Sequence, residues 1–145
     1  MQKITTFLTF NDQAEQAMKF YTSIVPDSKI LSMNALGGSF QLAGKEFAAL
    51  NGGPSFSFAE GTSLFVSCEA QKEIDNFYDK LSEGGSKEPC GWLKDKYGVS
   101  WQVIPPILGQ YLGDKDPEKA NRVMQAMFKM RKIDVQALED AYAGR

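Results

Sequence analysis

The chain has 145 residues, 43% of them hydrophobic, and a formal net charge of −2. That length and composition suit one globular domain with a real core. With no basic excess to meet phosphates, a nucleic-acid partner is not expected. There is no histidine, which removes the usual general base near neutral pH and the commonest transition-metal ligand. Cys68 and Cys90 lie far apart without a CxxC spacing, as in a reducing compartment. No apolar run reaches membrane-spanning length, and "MQKITTFLTF" lacks a signal-peptide pattern. These features together predict a cytoplasmic protein.

In chain order, "ITTFLTF" reads as a first strand. "NDQAEQAMKFYTSI" follows as a helix, with Ala14, Ala17, Met18 and Tyr21 at helical spacing. Asp12 and Glu15 are placed to cap its first turn. "KILSMNA", "SFQLAG" and "EFAALN" then read as strands, and "NGGPSFSFAEGTS" as a linker. "SLFVS" opens a second round. "CEAQKEIDNFYDKL" aligns with the first helix without a gap, placing Phe20–Tyr21 on Phe77–Tyr78. "KEPCGWLK" and "VSWQVIP" follow as strands joined by a turn at Asp95–Gly98. "GKEFAALN" aligns with "GVSWQVIP", so Phe47 matches Trp101 and Ala48 matches Gln102. Each half reads strand–helix–strand–strand–strand, with the strand order of the second half left open.

The tail differs in kind. Asp116 is placed as an N-cap with Pro117 at the first helical position. Val123, Met127 and Met130 form one stripe, with Met124 and Phe128 beside it. Packing on the sheet, a dimer contact and a regulatory groove are the readings of that stripe. A second short helix begins at Asp134. The expected organisation is a single domain over 1–145. Its first module spans 1–53, its second 62–106, and C-terminal helices fill 107–145.

"AEQAMKFYTSIVPDSKI", "FAALNGGPSFSF" and "CGWLKDKYGVSWQVIPPIL" resemble the PhnB-like, demethylubiquinone 3-methyltransferase-like family of the vicinal oxygen chelate superfamily. That superfamily includes glyoxalase, bleomycin-resistance and dihydroxybiphenyl dioxygenase proteins. The tail "KANRVMQAMFKMRKIDVQALEDAY" fits the same family. The resemblance implies an α+β, glyoxalase-like fold of two βαβββ modules with curved mixed sheets, usually as a homodimer. The family commonly has a longer segment near Asn34–Gly38. Either a tight hairpin stands there or a mobile lid is absent.

The resemblance also implies where superfamily metal ligands would fall: Thr6 (Thr5 if the register slips), Ala48, Ser63 (or Thr62) and Gln102. Only Gln102 is ligand-like, so no metal and no cofactor are expected. Gly37–Gly38, Gly52–Gly53 and Gly84–Gly85 follow no GxGxxG spacing. No S-adenosylmethionine motif is therefore visible. Thr6, Trp92, Trp101 and Gln102 are the pocket candidates. Trp92 and Trp101 offer flat walls. Gln102 alternates with Trp101 and Val103 and so faces the other way. Its buried amide needs a partner, either a polar neighbour such as Thr6 or a ligand. Catalytic residues are not identifiable. The expected function is metal-independent binding of an unknown small molecule. An enzyme on the same scaffold and a structural or regulatory dimer with a vestigial cleft are the alternatives.

Overall fold

A computed structural model describes residues 2–145. The chain divides into two compact units, one up to Phe58 and the other Ala59–Arg145. No helix among the described residues is long and apolar enough to cross a membrane.

The first unit contains β1 (Thr6–Phe10), α1 (Ala14–Ile24), β2 (Lys29–Asn34), β3 (Gly37–Leu42) and β4 (Lys45–Asn51). Its sheet runs β1-β4-β3-β2, with β1 parallel to β4 and the other pairs antiparallel. Ala14, Ala17, Met18 and Tyr21 are the buried stripe of α1. Tyr21 stacks on Phe40, and Phe40 on Phe47. Burial of each large side chain contributes roughly 1.5–3 kcal/mol. The expected Asp12 cap is not made. Gln13 holds the N-cap position without a side-chain bond, and Glu15 pairs with Lys19 at 3.0 Å. The Ala14 N–H instead donates to Asn51 Oδ1 at 2.8 Å. An acceptor from β4 thus replaces the local one.

The segment around Asn34–Gly38 is a tight hairpin. Asn34 Oδ1 accepts from the Leu36 N–H at 2.9 Å, an Asx turn. Gly37 has φ +143, and a Cβ there would run into the Ala49 carbonyl oxygen. Only glycine fits that approach.

The second unit repeats the plan with β5 (Ser63–Ser67), α2 (Gln71–Ser82), β6 (Ser86–Lys87), β7 (Trp92–Lys94) and β8 (Ser100–Ile104), in the order β5-β8-β7-β6. "KEPCGWLK" is not one strand. Pro89–Gly91 forms a short 3-10 turn between β6 and β7, with Cys90 at φ 64 and Gly91 at φ 84. Pro89 cannot donate to a ladder and left-handed residues cannot continue one. The Asp95–Gly98 turn forms as expected, closed by Gly98 N–H to Asp95 O at 3.0 Å.

Three helices complete this unit: α3 (Pro106–Leu112), α4 (Pro117–Phe128) and α5 (Val135–Ala143). α3 opens the expected C-terminal helical region, one residue before its expected start, with Pro106 at its first position as the start signal. Asp116 and Asp134 cap α4 and α5, accepting from Glu118 N–H at 3.0 Å and Ala137 N–H at 3.1 Å. Val123, Leu138, Ile133 and Leu108 close on Ile104 as one apolar cluster, with Met127 and Met130 against it. Packing is therefore what the methionine stripe does on this face.

Candidate functional site

Strand alternation sorts the second sheet into two faces. Trp101 and Val103 are 2% and 0% exposed and lie on the face covered by α2. Opposite them, register places Phe65, Gln102 and Trp92 side by side on β5, β8 and β7. Ile104 continues that face along β8.

This row is one wall of a cavity of about 530 Å³ lying wholly within the second unit. Cys90 adds a thiol beside Trp92. The opposite wall is helical: Leu108, Gly109 and Leu112 from α3, and Met127 from α4. Pro105 and Pro106 turn the chain from one wall to the other. No charged side chain lines the space.

Gln102 is the wall's amide. Its Nε2 donates to Ser63 Oγ at 3.0 Å, so one end is fixed and the carbonyl end is left to the cavity. Ser63, not Thr6, is therefore its polar neighbour. The next row holds Lys94, whose ammonium meets Glu60 Oε1 at 2.6 Å. That hydrogen bond raises the lysine pKa and lowers the glutamate's. Both charges are thereby satisfied outside the cavity.

Trp101 is a correction. Its indole N–H donates to Asp95 Oδ2 at 2.9 Å, and the ring belongs to the core under α2. Asp95, itself 3% exposed, also accepts from Tyr97 and Val99 N–H at 2.8 and 3.1 Å. Sequence reasoning saw Asp95 only as a turn residue. Tyr78 is a second buried polar anchor, its hydroxyl donating to the carbonyls of Glu88 and Trp92 at 2.9 and 3.0 Å. Burial, partly offset by the Glu88 carbonyl bond, holds this phenol above its ordinary pKa.

The matched metal positions fall on opposite faces in the first sheet and meet only as a hydroxyl–amide pair in the second. Thr6 pairs with Phe47, so it shares the α1 side of the first sheet with Leu8. Ser63 lies on the opposite kind of face, the one bearing Gln102. Phe7–Ala48 and Phe65–Gln102 are the corresponding pairs, so the strand is displaced by one residue against the gapless helix alignment. Thr5, the slipped-register alternative, has the parity of Ser63. In the second unit the donor set reduces to one hydroxyl and one amide already bonded to each other, a poor fit for a divalent ion. Among the described residues no group of three His, Cys, Asp or Glu could hold a metal.

Cys68 is buried, and burial, with Glu73 nearby, pushes its thiol up to about 12. It is inert as a nucleophile at neutral pH. Cys90 is the accessible thiol.

Residues 2–104 match the family model described as 3-demethylubiquinone-9 3-methyltransferase. The chain is similar to a PhnB protein from Bacillus cereus at 39% identity. That match covers 72% of this chain and 99% of the other, with a TM-score of 0.64. A protein from Pseudomonas aeruginosa shares the fold at 18% identity, over 72% of this chain and 98% of that one, with a TM-score of 0.62. A glyoxalase/bleomycin resistance protein from Albidiferax ferrireducens does so at 18% identity, over 72% and 98%, with a TM-score of 0.53. No curated protein matches the chain. The family match stops at Ile104, immediately before the turn into α3.

Proposed function

The chain belongs to the PhnB-like 3-demethylubiquinone-9 3-methyltransferase family, and from that premise we propose that it is a metal-independent small-molecule-binding protein. One observation carries the proposal. The amide at the superfamily's ligand position, Gln102, is tied to Ser63 and set in the wall of an apolar cavity. An amide so held is an orienting group for a bound molecule. It transfers no proton at neutral pH, and the chain has no imidazole to do so.

The methyl-transfer part of the family description finds little support in these residues. S-adenosylmethionine carries a sulfonium cation, an amino-acid head and a ribose. The cavity offers no carboxylate for the cation or the ribose hydroxyls. Two free cysteines favour a reducing, cytoplasmic home for this binding protein.

Calorimetric titration of metal-stripped protein with Mn²⁺, Ni²⁺ and Zn²⁺ tests the proposal. No stoichiometric binding is expected. One ion held per chain through dialysis, and lost in Gln102→Ala, would sink it.

A further inference from the structure

The two walls of the cavity have different origins. Phe65, Trp92 and Gln102 lie within the family-matched residues, whereas Leu108, Gly109, Leu112 and Met127 lie beyond them. The helices after Ile104 thus supply the second wall that turns a sheet face into a cleft. With a volume of about 530 Å³, it falls within the usual range for small-molecule sites.

The wall chemistry narrows the occupant. No charged side chain lines the space, so an entering carboxylate or ammonium would lose its hydration with nothing to replace it. A single amide breaks the apolar surface, and its free end is the carbonyl oxygen, an acceptor. Neighbouring strands stand about 4.8 Å apart, so Phe65 and Trp92 flank that amide at about 10 Å from each other. A flat ring laid over Gln102 meets an aromatic neighbour on both sides.

Resting on the binding reading above, we propose that this cavity takes a neutral, planar aromatic molecule carrying one hydrogen-bond donor. Gln102 receives the donor, and the C-terminal helices set how large a ring enters. Residues beyond the matched segment therefore determine this member's ligand.

The test uses the full chain and three probes: 2-naphthol, 2-methoxynaphthalene and 2-naphthoate. The readout is the rate at which a maleimide modifies Cys90 in the cavity wall, buried Cys68 staying silent. 2-Naphthol is expected to protect Cys90. 2-Methoxynaphthalene lacks the donor and should need about tenfold more for equal protection. 2-Naphthoate should give none. Gln102→Leu should erase the preference for hydroxyl over ether. Gly109→Leu should abolish protection without loss of Tm, because a Cβ at Gly109 meets nothing within 4 Å and leucine favours helix over glycine.

Equal protection by 2-naphthoate would overturn the proposal, as would full protection in Gly109→Leu. So would a labelling rate that follows protein concentration rather than probe, since a second copy would then fill the cavity. If 2-naphthol raises Tm without protecting Cys90, this site assignment fails while metal-independent binding stands. A stoichiometric metal has the opposite consequence.

Discussion

The two modules share a strand order and a register, and they differ in what stands on the outward row of each sheet. In the first, Phe7, Ala48 and Ser39 occupy that row; in the second, Phe65, Gln102 and Trp92. The leading phenylalanine is equally open in both, 58% and 59% exposed. The centre changes from a methyl group to an amide, and the outer position from a hydroxyl to an indole. Only the second module is followed by helices that form a cleft with its row. A repeated scaffold thus supplies two equivalent surfaces, and a site arises where the side chains and the cover coincide. The modules differ most in how their hairpins are held.

In the first module a short turn with positive φ at Ala43 and Gly44 joins β3 to β4, tied by Ala43 N–H to the Ser28 hydroxyl and by Gly44 N–H to the Asp27 carbonyl, each at 3.2 Å. The matching turn of the second module is built on Asp95, whose carboxylate receives two backbone N–H groups and the Trp101 indole. Asp95→Ala strands those donors in a buried place. It should cost about 3 kcal/mol in chemical denaturation, and Trp101 emission should shift as the ring loosens. Ala43→Gly, at the first module's turn, should change stability by less than about 1 kcal/mol. Equal losses at the two turns would remove the distinction between a lightly tied hairpin and one built on a buried carboxylate.

The helix starts differ in a similar way, at a smaller scale. α1 is capped from its own sheet by Asn51. α2 begins at Gln71, whose side chain instead donates to Ile133 O at 2.9 Å and accepts from Val135 N–H at 2.7 Å. Asn51→Ala should therefore cost about 1 kcal/mol, read as faster amide exchange at the first turn of α1 alone. Gln71→Ala should leave α2 helical and loosen the start of α5. Faster exchange spread over both helices in either variant would mean that the two starts are not independent.

Much of this was legible beforehand. The period of the helices, the strand alternation and the caps at Asp116 and Asp134 are local signals, and each appears where its chemistry predicts. Alternation also separated Gln102 from Trp101. It could not tell which of the two faces would be roofed, because that depends on α3, a seven-residue helix starting at consecutive prolines. Trp92 and Trp101 consequently looked alike as candidates, although one lines the cavity and the other is core. Thr6 was misplaced by one residue, since a gapless helix match does not oblige the preceding strand to keep the same register. Asp95 and Asn51 were missed as anchors because their partners are fixed only by folding.

The smallest effect concerns what ties the roof down. Lys132, between α4 and α5, reaches Asp79 and Asp75 of α2 at 2.9 and 3.4 Å. Lys87 also meets Asp79, at 3.5 Å. Burial pushes the Asp79 pKa up, but the bonds and charges of Lys132 and Lys87 outweigh it and hold the group below its ordinary value. A carboxylate lowered on folding stabilises the fold above the unfolded value of about 3.9. That contribution is lost as pH falls through the folded value. Half of the Asp79 side chain is exposed, so screening limits the contribution to about 0.5 kcal/mol. Between pH 5 and pH 2.5, amides of α5 should lose protection before those of α1, whose ion pair Lys19–Glu15 lies within one helix. Lys132→Met should remove that lag at low salt, and 1 M salt should mimic the substitution. Were α1 and α5 to open together in the unmodified chain, the roof would be as firmly held as the sheet. The contrast between the modules would then rest on their side chains alone.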